Sequence, residues 1–278
     1  MKFWRSDRLF CEMNPLFFAI SQRKEIIKRH LQDALSGVRF ARRKTDHVLP
    51  CVVWAHSSLL IKKGKGIDLA LQEGKAINVS LASAEINQLV VHPGEVFSFW
   101  RTVGDSNERR GYQAGRVLRG DGLRPGVGGG LCNFAHTIDL LVLHSPLEIT
   151  ECHLHSDALA PDQGERVPFA TGTSVSYNYI DFRFVNNTDQ DVQLRTWCDD
   201  ERSYGELRSE REFPWRYELV ELDHHFVEEG GRYYSVSQVV RRTRDSATGD
   251  EVEQTLIASN HWEVLYDYDA IPKHLIRQ

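Results

Sequence analysis

The sequence predicts an α+β protein, with helices in the first half of the chain and antiparallel strands in the second. Helical spacing of apolar residues recurs before residue 90, and again after a glycine-rich segment. From residue 173 onward, alternating apolar segments are separated by turn residues, which is typical of antiparallel strands. We expect an N-terminal helical portion, a central α/β unit around a glycine-rich loop and a Cys-bearing helix, and an antiparallel β-rich C-terminal part.

The N-terminal region predicts a helix over residues 22–37, a strand over 52–61 and a second helix over 77–87. Arg39, Arg42, Arg43 and Lys44 form a basic cluster after the first helix. This cluster is either a solvated face or a surface for an anionic partner, and the pattern leaves both open.

The central region predicts short elements around an irregular stretch. We expect a strand at 89–91, a turn at 92–95 and extended structure at 96–100. Residues 104–130 are glycine-rich and irregular. A helix over 132–144 follows, stopped by Pro146, and then a strand over 147–152.

The C-terminal half predicts a series of strands with turns between them. The predicted strands are 173–185, 192–197, 216–222, 233–242 and 252–258, with a hairpin loop at 245–250. Charged residues near 209–214 precede the last group of strands. We therefore expect an N-terminal helix/strand region at 1–76, a core domain at 77–209 and a β-rich extension at 210–278.

Length and composition limit the function classes. A chain of 278 residues can bury a core without disulfides, and a net charge of −5 argues against a nucleic-acid-binding protein. The chain has no apolar stretch long enough to span a membrane, and the apolar run at 15–20 is too short for a signal peptide. The five cysteines are sparse and irregularly spaced. These features predict a cytoplasmic protein that needs no cofactor.

The chemistry-bearing segment is Gly128-Gly129-Gly130-Leu131-Cys132, which leads directly into the predicted helix. Glycines allow positive φ and close approach of other groups. A helix N-terminus presents unpaired N–H groups and favours a thiolate, so Cys132 is a candidate nucleophile. The same N–H groups could hold an oxyanion.

The candidate base lies on the following strand, where His153 and His155 share one face by alternation. Two other interpretations stay open. Cys132 can be a small residue packed at a helix–sheet contact. Alternatively Cys132, His136, His153 and His155 could form a tetrahedral zinc site, although their spacing matches no standard zinc motif.

Several motifs in the chain resemble the VanW family, known from operons for glycopeptide resistance of the vancomycin type. The match covers about residues 78–200. The residues that carry it are Pro93-Gly94-Glu95-Val96-Phe97-Ser98-Phe99-Trp100, Gly111-Tyr112 with Ala114, Gly128-Gly129-Gly130-Leu131-Cys132-Asn133, His155, and Ile180-Asp181-Phe182-Arg183-Phe184-Val185-Asn186-Asn187-Thr188.

The resemblance implies an accessory protein of glycopeptide resistance, possessing either thiol chemistry or a binding function. In the enzymatic interpretation, Cys132 is the nucleophile and His155 the base, acting on a peptide or amide. The chain departs from the family pattern at Asn133, where the family has Gln, and at Gly172, where it usually has Asp. An acid that orients His155 is then missing, or its role falls to Asp157 or Asp181.

In the alternative interpretation, the chain is a non-catalytic binding module. The glycine loop and the helix N-terminus hold an anionic group of a small-molecule or peptide ligand, which we expect to be related to peptidoglycan. Arg116, Arg119 or Arg124 supply the counter-charge. The predicted ligand-binding residues are Gly128, Gly129, Gly130, Asn133, Arg116 and Asp181, and no metal is expected.

Overall fold

A computed structural model describes residues 15–61, 68–119, 122–154, 157–158, 173–177 and 179–277 of the chain. Helices and several small antiparallel sheets alternate along it, so the predicted α+β class is confirmed. The α-helices of the described residues are α1 (Pro15–Leu35), α2 (Leu69–Ile86), α3 (Phe99–Val103) and α4 (Leu131–Leu143).

The strands of the described residues form four sheets. In chain order they are β1 (Cys51–Leu59), β2 (Leu89–Val91), β3 (Val96–Ser98), β4 (Ala114–Arg119), β5 (Gly122–Val127), β6 (Glu148–Glu151), β7 (Asp157–Ala158), β8 (Arg183–Val185), β9 (Val192–Cys198), β10 (Arg202–Ser209), β11 (Trp215–Glu229), β12 (Arg232–Asp245), β13 (Glu251–Val264) and β14 (Ile276–Arg277). The sheet orders are β1-β10-β9-β2, β3-β8-β6, β4-β5 and β14-β11-β12-β13-β7.

Helix α4 forms the centre of the hydrophobic core. It packs against α2 and against β1 and β10 of the antiparallel four-stranded sheet. Phe134, Ile138 and Leu141 on α4 are fully buried and meet Phe97, Phe184 and other core residues of the three-stranded sheet. Because both sheets and α2 cover it, α4 exposes very little of its surface.

A buried arginine attaches α1 to this core. Arg183 on β8 forms a two-pronged ion pair with Asp33 of α1, at 2.7 and 2.9 Å. The Arg183 Nε also donates to Asp181 at 2.7 Å. Two parallel hydrogen bonds fix the guanidinium geometry, so the pair sets where α1 docks.

The C-terminal part is a sheet of long antiparallel strands. β11, β12 and β13 follow one another as hairpins, and the turn at 245–250 between β12 and β13 is confirmed. The short strands β7 and β14 pair in parallel at its two edges. No helix of the described chain combines the length and apolar character needed to cross a membrane.

Several elements differ from the predicted ones. α2 begins eight residues before the predicted 77, because its N-terminal turns carry polar residues that hide the helical period. Residues 104–130 hold the hairpin β4–β5, so the prediction of purely irregular structure is wrong there. Phe99 and Trp100 belong to α3, which Ser98 caps by accepting the Arg101 N–H, and not to an extended segment.

One of the two predicted domain boundaries falls at the end of a strand, and the other falls inside a helix. The boundary between 76 and 77 falls inside α2, and β1 from the predicted N-terminal region pairs with β10 of the predicted core domain. The boundary between 209 and 210 coincides with the end of β10. Three-part division of the chain stays a prediction.

We predict that Asp33→Asn destabilises the protein in a pH-dependent way. Burial alone would raise the pKa of Asp33. The hydrogen bonds and positive charge of Arg183, together with those of Arg101, outweigh the effect of burial, so the pKa of Asp33 is lowered. A lowered pKa in the fold means that the stabilisation is present above the unfolded pKa of about 3.9 and is lost as pH falls through the folded value.

Urea unfolding at pH 7 should show a loss of about 3 kcal/mol, the low end for a broken buried pair, since Asp181 still contacts Arg183. The difference between the two proteins should shrink as pH falls below the unfolded value and should vanish once pH is below the lowered folded value. Asp189→Asn breaks an exposed pair with Arg211 and serves as the control with little effect. Equal stability of wild type and Asp33→Asn at pH 7 would show that this pair does not hold α1.

Candidate functional site

Cys132 lies in the first turn of α4, where the sequence places it. Gly130 is the N-cap residue with a φ of 99°, and Gly128 before it has a φ of 79°. Both angles are in the region that favours glycine. The glycine turn therefore starts the helix and puts Cys132 at its second residue.

The thiol of Cys132 is held by backbone on both sides. Its Sγ donates to the Val175 carbonyl at 3.6 Å and accepts the Val175 N–H at 3.5 Å. Burial raises the pKa of Cys132, and hydrogen bonds from Val175 and Ser174 offset this only partly. The expectation of a lowered thiol pKa is therefore wrong, because burial of the thiol outweighs the helix N-terminus.

The glycine loop is packed against the rest of the chain. A Cβ on Gly129 would overlap the Gly115 backbone, and a Cβ on Gly130 would overlap the Lys75 side chain. Asn78 of α2, fully buried, donates to the Gly129 carbonyl and to the Gln113 carbonyl, each at 2.9 Å. These contacts give the glycines a packing role, and their role in ligand binding stays a prediction.

The other predicted ligand-binding residues around the loop lie at different depths. The Asn133 Oδ1 accepts the Ser58 hydroxyl at 3.3 Å, which ties the start of α4 to β1. Arg116 is half-buried on β4, next to the Gly115–Gly129 contact, and Arg124 is exposed on β5. The side chain of Arg119 lies outside the described part of the structure.

The histidine half of the predicted site is described only in part. His155 and Gly172 lie outside the described residues. His153 is exposed, and its Nε2 lies 3.1 Å from the Glu151 carboxylate. Among the described residues no three His, Cys, Asp or Glu side chains gather as a metal site would require.

Asp181 is fully buried and its oxygens are occupied. They accept hydrogen bonds from the Ser98 hydroxyl at 2.5 Å, the Trp100 N–H at 3.1 Å and the Arg183 Nε at 2.7 Å. Asp181 thus joins the β3–α3 junction to β8. These contacts use both Asp181 oxygens. Neither oxygen is therefore left for the two roles that the sequence predicts, which are binding a ligand and orienting a histidine.

Asp139 is the residue that the sequence reasoning missed. It lies on α4 with 1% exposure, and neither carboxylate oxygen has a hydrogen-bond partner among the described residues. Burial raises its pKa well above the ordinary value. The signal was present in the sequence, since Asp139 interrupts an otherwise apolar run between Ile138 and Leu143.

Cys152, just after β6, lies beside Asp139. Burial, followed by the charge of Asp139, raises the pKa of Cys152 to about 12, while Thr173 lowers it slightly. Asp139 and Cys152 line one cleft of about 490 Å³, together with Arg241 of β12 and Ile257 of β13. An acid with no hydrogen-bond partner among the described residues is therefore buried in the wall of a cleft between the core and the C-terminal sheet.

Comparison with known proteins finds a family whose profile matches part of this chain. The profile of the family described as "VanW like protein" matches residues 74–208. Nearly half of this chain is therefore a VanW-like domain. The VanW-matching region includes most of α2, the glycine loop, α4 and the strands from β2 to β10 except Ser209, so it contains Cys132, Asp139 and Asp181.

Two known proteins are similar to this chain. "Vancomycin B-type resistance protein VanW" of Enterococcus faecalis is 25% identical over 252 residues, which are 91% of this chain and 92% of the relative. "Uncharacterized protein YoaR" of Bacillus subtilis is 31% identical over 123 residues, 44% of this chain and 39% of that relative. No solved structure matches this chain.

The VanW motifs of this chain mostly build its fold. Phe97 and Phe99 are fully buried, and Gly94 turns the chain with a φ of 75°. Asn186, also fully buried, donates to the carbonyls of Val91 and Gln190 at 2.8 Å each. In this chain, these family motif residues therefore serve mainly to pack the core and shape the backbone.

We predict that iodoacetamide at pH 7 modifies Cys51 before Cys132. Cys132 has a raised pKa and its thiol is bonded on both sides to Val175, whereas Cys51 lies at the first residue of β1, with only a 3.8 Å contact to Glu210. Peptide mass spectrometry after timed quenching measures both rates, and the urea-unfolded protein serves as the control in which they converge. If Cys132 were modified first, the interpretation of Cys132 as an activated thiolate would be supported instead.

We further predict that Asp139→Asn removes a pH dependence of stability. A carboxyl whose folded pKa is raised favours the fold fully below its unfolded pKa, and this contribution falls as pH rises through the folded value. Between the unfolded and the folded value the wild type should lose up to about 1.4 kcal/mol per pH unit relative to Asp139→Asn, and above the folded value the difference should stay constant.

Thermal and urea unfolding between pH 5 and 9 measures this difference. Asp250→Asn, in the exposed β12–β13 turn, is the matched control and should follow the wild type throughout. Parallel pH profiles for the wild type and Asp139→Asn would mean that Asp139 has a partner in solution.

Proposed function

We propose that this protein is an accessory protein of glycopeptide resistance that acts by binding a small-molecule or peptide ligand, without thiol chemistry. The observation that carries this proposal is the Cys132 thiol, which donates to and accepts from the Val175 backbone. Burial raises the pKa of this thiol, which favours its neutral form. The similarity to a vancomycin B-type resistance protein over 91% of the chain supports the link to resistance.

A catalytic Cys132 would have to overcome two obstacles. It must lose its proton in a half-buried site where the pKa is raised, and it must leave the Val175 backbone to reach a substrate. Deprotonation would also leave the Val175 carbonyl without its donor, and an unsatisfied buried acceptor costs about 1–3 kcal/mol. Binding of a ligand elsewhere on the surface requires neither step.

The thiols of the chain support a reducing environment for this function. The four described cysteines, Cys51, Cys132, Cys152 and Cys198, form no disulfides. Disulfides persist in oxidising compartments, and free thiols are typical of reducing ones. We therefore extend the proposal to a cytoplasmic site of action, with a ligand related to peptidoglycan.

The test replaces the relative's gene, in a strain carrying the resistance operon, by the gene for this chain. We expect the wild type to raise the minimal inhibitory concentration of vancomycin at least fourfold over an empty vector. Cys132→Ser should do the same, because a hydroxyl preserves both hydrogen bonds to Val175. Cys198→Ser, a change at another half-buried thiol, is the matched control.

Two results would contradict the proposal. An unchanged inhibitory concentration with the wild-type chain would remove the link to glycopeptide resistance. Loss of the effect in Cys132→Ser, with normal expression and thermal stability, would show that the thiol takes part in chemistry.

A further inference from the structure

The cleft beside Asp139 lies between the VanW-matching core and the C-terminal sheet. Its walls come from the C-terminal end of α4, the β6 segment, β12 and β13. Its volume of about 490 Å³ falls in the range of pockets that hold small ligands. Most of the lining is apolar, with Leu143, Leu147 and Ile149 on the core side and Ile257 on the sheet side.

Asp139 gives one end of this cleft an unpaired acid. Its carboxylate is buried, and neither oxygen has a partner among the described residues. Buried polar groups are nearly always hydrogen-bonded, and an exception calls for an explanation such as a ligand. A cationic or N–H donor group of a ligand would satisfy both oxygens.

Arg241 gives the opposite wall an unpaired donor. Its guanidinium carbon lies 5.1 Å from the centre of the Tyr217 ring, and its buried Nε has no hydrogen-bond partner among the described residues. Arg241 lines the same cleft as Asp139, and no ion pair joins the two side chains. The carboxyl of α4 and the guanidinium of β12 thus line one cleft without forming an ion pair.

We propose that this cleft binds a short zwitterionic peptide with apolar side chains. The ligand's ammonium group contacts Asp139, its carboxylate contacts the Arg241 guanidinium, and its side chains cover the apolar lining. A guanidinium favours carboxylates because its N–H groups match the two oxygens. This inference rests on the proposed function, since it assumes that the protein acts by binding. It places the ligand in this cleft and not at the glycine loop, where the sequence predicts it.

The size and polarity of the cleft favour a peptide over a single ion. A free phosphate or carboxylate would satisfy Arg241 and leave Asp139 unpaired. A simple amine would do the reverse. Only a ligand with both charges, separated by an apolar body, pairs both groups and fills the space between them.

The test measures binding of alanyl-leucine, in its L,L and D,D forms, to the full chain by titration calorimetry. We expect one of the two forms to bind with 1:1 stoichiometry. N-acetyl-alanyl-leucine, which lacks the ammonium group, and alanyl-leucine amide, which lacks the carboxylate, should each bind at least tenfold more weakly.

Variants assign the two contacts. Asp139→Asn and Arg241→Gln should each weaken binding of alanyl-leucine at least tenfold. In Asp139→Asn, acetylation of the peptide should cause no further loss, which is the sign of a direct contact. The matched controls are Asp250→Asn in the exposed turn and Arg242→Gln, since Arg242 is next to Arg241 on β12 but contacts Gln254.

Three outcomes would overturn the inference. These are no binding of either form at millimolar concentration, binding that the acetyl or amide group does not affect, and equal binding by Asp139→Asn and the wild type. Thermal unfolding of each variant shows that it is folded. If the peptide does not bind but Cys132→Ser still confers vancomycin resistance, the cleft is rejected and the proposed function stands. If the peptide binds but Cys132→Ser confers no resistance, only the proposed function is rejected.

Discussion

Helix α4 is buried on almost all sides, and this burial decides the chemistry of every polar group that the helix carries. Ten of its thirteen residues are buried under α2 and the two sheets that pack on it. A helix N-terminus in water stabilises a thiolate, but at the half-buried Cys132 the loss of solvent around the sulfur raises the pKa of the thiol. Cys132 also bonds to the Val175 backbone, and burial raises the pKa of the Asp139 carboxyl strongly.

The close packing that buries α4 also explains the glycines before it. Gly129 lies against the Gly115 backbone of the β4–β5 hairpin, and Asn78 bonds to both the loop and the hairpin. A glycine-rich turn before a helix is common to anion-binding loops and to tight contacts, so its sequence cannot separate the two. In this protein the backbone approach is directed at another part of the chain.

Much of the fold could be predicted because its signals are local. The helical spacing of Phe134, Ile138 and Leu141 gives α4, and the turn residues at 245–250 give the last hairpin. β10 could not be found in this way, since its alternation of Ser203, Gly205 and Leu207 has only one large apolar residue. It becomes a strand because β1 and β9, more than 140 and about 10 residues away along the chain, pair with it.

The candidate site was predicted less well because it depends on tertiary burial. Motif reasoning placed Cys132 correctly in the first turn of the helix but gave its thiol the wrong electrostatic environment. Asp181 resembles a functional acid in sequence, yet Ser98 and Arg183 use its oxygens to hold the core together. Whether an acid serves the fold or a ligand depends on which partners surround it, and those partners come from distant parts of the chain.

Cys132 and Asp139, the two groups of α4 whose pKa is raised by burial, lie on one face of the helix. Cys132, His136 and Asp139 are spaced four and three residues apart, which places them on the same side of the helix. The segment at 173–175 runs beside this side, because Val175 contacts Cys132 and Thr173 lies near Cys152 next to Asp139. A ligand that ionises Asp139 therefore acts on a segment that also holds the Cys132 thiol. On this polar side of α4, Asp139 is buried and has no hydrogen-bond partner among the described residues, and the proposed ligand would supply one.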